Sequence, residues 1–170
     1  MKTFNYKTLA VALGTSLLLI GSLNVYAADY SGSFEGTISK QDGLPIDLTG
    51  QHVIALGLAS GTNKSTGNMD YFNGGAIVVT DTVDIVNGNG THSGYWTVSQ
   101  NGETVTNKLT GKMTTVMAAD GKTPMTSIEG TFANVYGTGV HATIHPIGTY
   151  KATFTSATTY VSEWEVTGFE

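Results

Sequence analysis

Apolar and polar residues alternate one by one through most of this chain, and a period of two places side chains on opposite faces of extended backbone. Tyr30, Gly32, Phe34, Gly36 and Ile38 share one parity, and Ser31, Ser33, Glu35 and Thr37 the other. The pattern returns in Ile77, Val79, Val83 and Ile85, in His92, Gly94, Trp96 and Val98, and in Val105, Asn107, Leu109, Gly111 and Met113. It continues through Ile128, Gly130 and Phe132, through Tyr150, Ala152 and Phe154, and through Tyr160, Trp164 and Val166. Asn87-Gly88, Asn101-Gly102 and Asp120-Gly121 separate these runs. Asn-Gly and Asp-Gly tolerate positive φ and so close tight hairpins. About eight short antiparallel strands are expected, with no segment of helical period after residue 27. One-sided alternation in nearly every strand favours a single up-and-down β-barrel, a calycin-like architecture, over a two-sheet sandwich. A barrel of that size either fills with side chains or encloses one small ligand.

Three segments read differently. His52 to Leu58 is apolar on both faces, with His52, Ile54, Leu56 and Leu58 in one row, and Ser60 to Asn68 reads as a polar loop. Tyr71 to Val86 reads as one long strand or two shorter ones, the preferred break falling at Asp81-Thr82.

The first 27 residues read as a cleavable export signal. Lys2 and Lys7 precede an apolar run from Leu9 to Gly21, and Val25 and Ala27 fit the small-x-small pattern before a cleavage site. The run is too short to span about 30 Å of hydrocarbon as a helix. The expected division is a signal peptide over 1–27 and a β-barrel domain over 28–170, exported to the periplasm or secreted, with no membrane anchor after cleavage. The chain has no cysteine, so disulfides, thiolate metal sites and a lipid-modified terminus are excluded.

Charge narrows the partners. All 8 basic residues are lysines, against 13 acidic residues. Without Lys2 and Lys7 the balance falls to −7. An acidic chain lacking Arg has neither the basic face that nucleic acid requires nor a bidentate clamp for carboxylate or phosphate. No nucleic-acid partner is expected. Of the 27 threonines, 24 follow residue 27, a composition suited to exposed strand faces.

Glu129 to Gly139, Glu-Gly-Thr-Phe-Ala-Asn-Val-Tyr-Gly-Thr-Gly, resembles a glycine-rich signature of bacterial exported proteins related to the allene oxide cyclase barrel. Asn87 to Tyr95, Asn-Gly-Asn-Gly-Thr-His-Ser-Gly-Tyr, resembles a hairpin of the same group. The likeness covers roughly Asn87 to Phe154 and extends to the dirigent-like proteins. It implies an eight-stranded barrel, often trimeric, with an apolar cavity. The dirigent-type site uses Arg and Asp, and this chain has no Arg.

Few residues carry chemistry. Asp81 shares the parity of Val79 and Val83, so in a continuous strand its carboxylate faces an apolar interior and can act as acid or base; at a strand break it is solvated. Asn107 sits on the apolar parity between Val105 and Leu109, where it either orients a ligand or bonds to backbone. These two are the catalytic candidates. His52 and His92 read as strand-end histidines. His141 and His145 share parity but stand about 13 Å apart if extended, too far for one metal ion. No metal and no cofactor is expected, and Asp81, Asp84, Asn87 and Asn89 read as a turn, not a calcium loop. Tyr30, Trp96, Phe132, Tyr150 and Trp164 fall on inward faces and would line a ligand pocket if the barrel is hollow.

Three functions follow from these features. The first is binding of a small apolar or aromatic molecule in the barrel, with isomerase or cyclase catalysis left open and a homo-oligomer allowed. The second is a non-enzymatic extracellular structural or partner-binding protein with a filled barrel. The third is sugar binding, which needs Tyr71, Phe72 or Tyr95 to form an exposed platform.

Overall fold

The computed structural model describes residues 29–170. The expected signal segment and its cleavage point lie outside the described residues. Eight strands follow in order: β1 Ser31–Pro45, β2 His52–Ser65, β3 Ala76–Val86, β4 Asn89–Gln100, β5 Glu103–Met117, β6 Pro124–Gly137, β7 Pro146–Phe154 and β8 Thr159–Phe169. Each pairs antiparallel with its sequence neighbour, and β1 pairs with β8 to close the barrel. Closure leaves no strand edge unpaired, which removes the usual template for aggregation in an all-β protein.

The hairpin signals act as their chemistry demands. Asn87 and Gly88 have φ of 51° and 76°, and Asn101 and Gly102 have 53° and 83°. Two consecutive positive φ values give the turn whose twist matches the flanking strands. The inward parities of β1, β3, β4, β5, β7 and β8 are those read from the sequence: Phe34, Ile77, Trp96, Val105, Tyr150 and Trp164 are all buried.

The row read in β2, with Ile54, Leu56 and Leu58, is a single face and it points outward, with Leu56 60% exposed; three other local readings are corrected. The inner row is Val53, Ala55, Gly57 and Ala59, of which Ala55 and Ala59 are buried. Ser60 to Ser65 is not loop; it prolongs β2. There is no break at Asp81-Thr82, since β3 pairs without interruption with both β2 and β4 across these residues. His141 lies in a short 3-10 helix, Gly139–Thr143, so the extended spacing assumed for His141 and His145 does not occur.

The two ends of the barrel differ. One is closed by the segment between β2 and β3. Asn63, fully buried, donates from Nδ2 to the carbonyls of Tyr71 (2.7 Å) and Phe72 (3.1 Å) and accepts from Trp164 Nε1 at 3.0 Å. The Tyr71 ring packs edge-on against Tyr30, Phe72, His141 and Trp164 at centroid distances of 5.2–5.8 Å. The opposite end, formed by the β1–β2, β3–β4, β5–β6 and β7–β8 hairpins, is not plugged in this way.

Candidate functional site

A cavity of about 630 Å³ occupies the barrel interior toward that second end. Its wall is mostly apolar, with Phe34, Val79, Val83, Trp96, Ile128 and Phe154 among its residues, and its rim includes Gly88, Thr123, Ser156 and Ala157 from three hairpins. Polar groups enter the wall from four strands. They are Asp81 from β3, His92 from β4, and Tyr150, Tyr160 and Ser162 from β7 and β8.

Glycines shape this polar patch. Asp81 is flanked in register by Gly57 on β2 and Gly94 on β4. A methyl group on Gly57 would overlap Asp81 Oδ1, so the missing side chain is the space the carboxylate occupies. One row over, His92, Gly111, Gly130 and Tyr150 lie side by side across four strands. The two central glycines let the tyrosine lie back along the wall, bringing its ring to 5.9 Å from that of His92. A Cβ on Gly111 would stand 2.8 Å from the Tyr150 hydroxyl. These are mid-strand glycines selected for close approach, not for a turn.

Asp81 Oδ2 stands 3.6 Å from His92 Nε2. His92 is 4% exposed, whereas the Asp81 side chain keeps 23% of its surface. Asp81 is thus the group a molecule in the cavity meets, and His92 stands behind it. Burial raises the carboxyl pKa above its usual value, and His92 opposes that shift. Burial lowers the imidazole pKa, and Asp81 opposes. Desolvation dominates for both, so each prefers its neutral form more than it would in water. The phenols of Tyr150 and Tyr160 are pushed well above 10, first by burial and then by the charge of Asp81, and stay protonated. Both His92 nitrogens, the Tyr150 hydroxyl, Trp96 Nε1 and Asn107 Oδ1 are buried with no hydrogen-bond partner among the described residues.

Of the residues singled out in the sequence, Asp81, Trp96 and Tyr150 line the cavity. Tyr30, Phe132 and Trp164 do not. Tyr30 packs on Tyr71 and Phe169 toward the closed end, Phe132 on Trp96, and Trp164 on Trp96 and Tyr71. Asn107 is buried opposite Trp96 beside a β-bulge and does not reach the cavity. His92, Tyr160 and Ser162 were not singled out as site residues. The parity of His92 with Trp96, and of Tyr160 and Ser162 with Trp164, was the available signal. His52 pairs on the outer surface with Asp84 at 2.7 Å. The sugar platform is not assembled: Tyr71 and Phe72 are buried and Tyr95, 48% exposed, stands without them. Among the described residues no three His, Asp or Glu side chains gather as a metal site.

No family model and no curated protein matches the chain. The functional reading therefore rests on the cavity itself. A carboxylate open to an apolar chamber can accept a hydrogen bond, pair with a cation, or exchange a proton with the imidazole behind it.

Proposed function

We propose that this protein is an exported barrel that binds one small, largely apolar molecule in its interior. The observation that carries the proposal is the cavity of about 630 Å³, which falls within the roughly 300–1,000 Å³ common for small-molecule sites and joins an apolar wall to a few convergent polar groups. Binding removes the molecule's hydrocarbon surface from water at about 25 cal/mol per Å² and requires no rearrangement of a packed core. Export is supported by Lys2, Lys7, the Leu9–Gly21 run and the Val25-x-Ala27 pattern. Kinship with the allene oxide cyclase and dirigent-like barrels is supported by the Asn87–Tyr95 and Glu129–Gly139 motifs together with the closed eight-stranded barrel.

The test is titration of the purified protein with N-phenyl-1-naphthylamine, a neutral apolar fluorophore. Saturable binding of one equivalent, lost in the cavity-filling variant Ala152→Trp, is expected. No binding by a folded wild-type protein contradicts the proposal.

A partner-binding role has one observation in its favour. Leu44, Ile54, Leu56 and Leu58 are exposed on the outer face of β1 and β2. Leu44 and Ile54 face each other in register, so part of this apolar surface is contiguous. Sedimentation analysis of wild type beside Leu56→Lys tests it, because a self-association seated there would be lost in the variant.

A further inference from the structure

We propose that the cavity ligand is an amphiphilic amine, its ammonium paired with Asp81 and its hydrocarbon part filling the chamber. This rests on the cavity reading above and names the chemical class that the site selects.

Among the described residues Asp81 is the one acidic side chain in the cavity lining, and no lysine is there. All six described lysines are exposed on the outside, and the chain has no arginine. Among the described residues the sole ion-pair partner of the carboxylate is His92, at 3.6 Å. That imidazole has both nitrogens buried without hydrogen-bond partners, a setting that disfavours its charged form. The carboxylate therefore lacks a full counter-charge, and a bound cation supplies one. A ligand anion meets the opposite situation, with one negative charge already in the wall and no lysine or arginine in the lining to offset another.

The rest of the wall suits the same ligand. Phe34, Trp96, Tyr150 and Tyr160 all line the chamber, and Phe34 lies 5.9 Å from both Trp96 and Tyr160. Aromatic faces attract ammonium groups through the ring quadrupole, more so when the site is desolvated. The Gly57 niche fixes the carboxylate before the ligand arrives, so its desolvation is already built into the empty protein. An alcohol of the same shape would also fill the chamber and donate to Asp81, but through a neutral donor. A charge-assisted bond is about twice as strong.

The experiment is calorimetric titration of the purified protein with octylammonium, octan-1-ol and octanoate. Octylammonium is expected to bind at least about tenfold more tightly than octanol, with octanoate weakest. In Asp81→Asn the amine is expected to fall to the level of the alcohol, whose own affinity stays near wild type. Gly57→Ala displaces the carboxylate without removing it, and is expected to weaken the amine more than the alcohol. Equal wild-type affinities for amine and alcohol, or an amine preference that survives in Asp81→Asn, overturns the inference and leaves the cavity reading standing. Failure of all three probes to bind a protein that melts normally overturns both.

Discussion

Asp81 sits in an apolar wall at a cost to stability, and the sign of that cost is testable. Its carboxyl titrates above its ordinary 3.8 because burial penalises the charge. A carboxyl whose pKa rises on folding stabilises the protein below its unfolded value and loses that contribution as pH rises through the folded one. Asp81→Asn is therefore expected to melt higher than wild type at about pH 7.5 and to lose that advantage at about pH 3.5. Each kcal/mol relieved corresponds to about 2–4 °C or somewhat more in a domain of this size. Thermal melts across that range check it; equal shifts at both ends contradict it. His92 has the opposite sign. Its pKa is lowered, so its contribution is present above its ordinary 6.5 and lost as pH falls through the folded value. Gly57→Ala is expected to cost about 1–3 kcal/mol by overpacking, and much of that cost should vanish when Asp81 is also replaced by Ala. Equal costs in both backgrounds, measured by denaturant melts, contradict the niche. The parity of Asp81 was plain in the sequence, but an Asp-Thr pair inside an apolar run is also the signature of a break. Only the glycines on the two flanking strands reveal the room made for it, and pairing across strands is not written in a single row of letters.

At the scale of strands and turns, legibility followed how one-sided each segment is. β1, β4 and β5 have one apolar parity, and their inner faces were read without ambiguity, whereas β3 keeps that parity but was read with a break at Asp81-Thr82. β2 is apolar on both sides, so its large residues were set in one row without sight of the small inner row that faces the cavity. The polar letters from Ser60 to Ser65 hid a continuing strand whose inward residues are Gly61 and the buried Asn63. That asparagine matters out of proportion to its size, because its amide holds two backbone carbonyls of the closing segment and the indole of Trp164. Asn63→Ala is expected to cost about 2–4 kcal/mol, since it leaves buried groups unpaired. Amide exchange through Tyr71–Gly75 should rise with it, and a variant with wild-type stability and protection would remove the segment's anchoring role. Gly88→Ala, at φ 76° in the β3–β4 turn, is expected to cost about 1 kcal/mol in denaturant melts.

For the whole molecule, the decisive asymmetry is between the aromatic plug at one end and the hollow at the other. Strand count and up-and-down closure were legible because period and turn signals are local. Hollowness was not, because it depends on the summed volume of inward residues from eight strands. Small residues on β2 and glycines on β4, β5 and β6 leave space that the rings of β1, β7 and β8 do not fill. The asymmetry makes the hairpin end the route of access. Ala157→Trp, on the β7–β8 turn at the rim, is expected to slow uptake of an apolar probe without lowering the melting temperature. Val140→Trp, exposed at the plugged end, should leave uptake unchanged in the same stopped-flow measurement. The central claim, that the barrel is a container for one small molecule, is tested most directly by native mass spectrometry of the protein purified from its own host. A single retained small molecule per barrel, or stoichiometric loading with an apolar amine, is the expected result. A ligand-free mass that also refuses amines, lipids and phenols would contradict the account and leave the apolar outer face of β1 and β2 as the better guide to function.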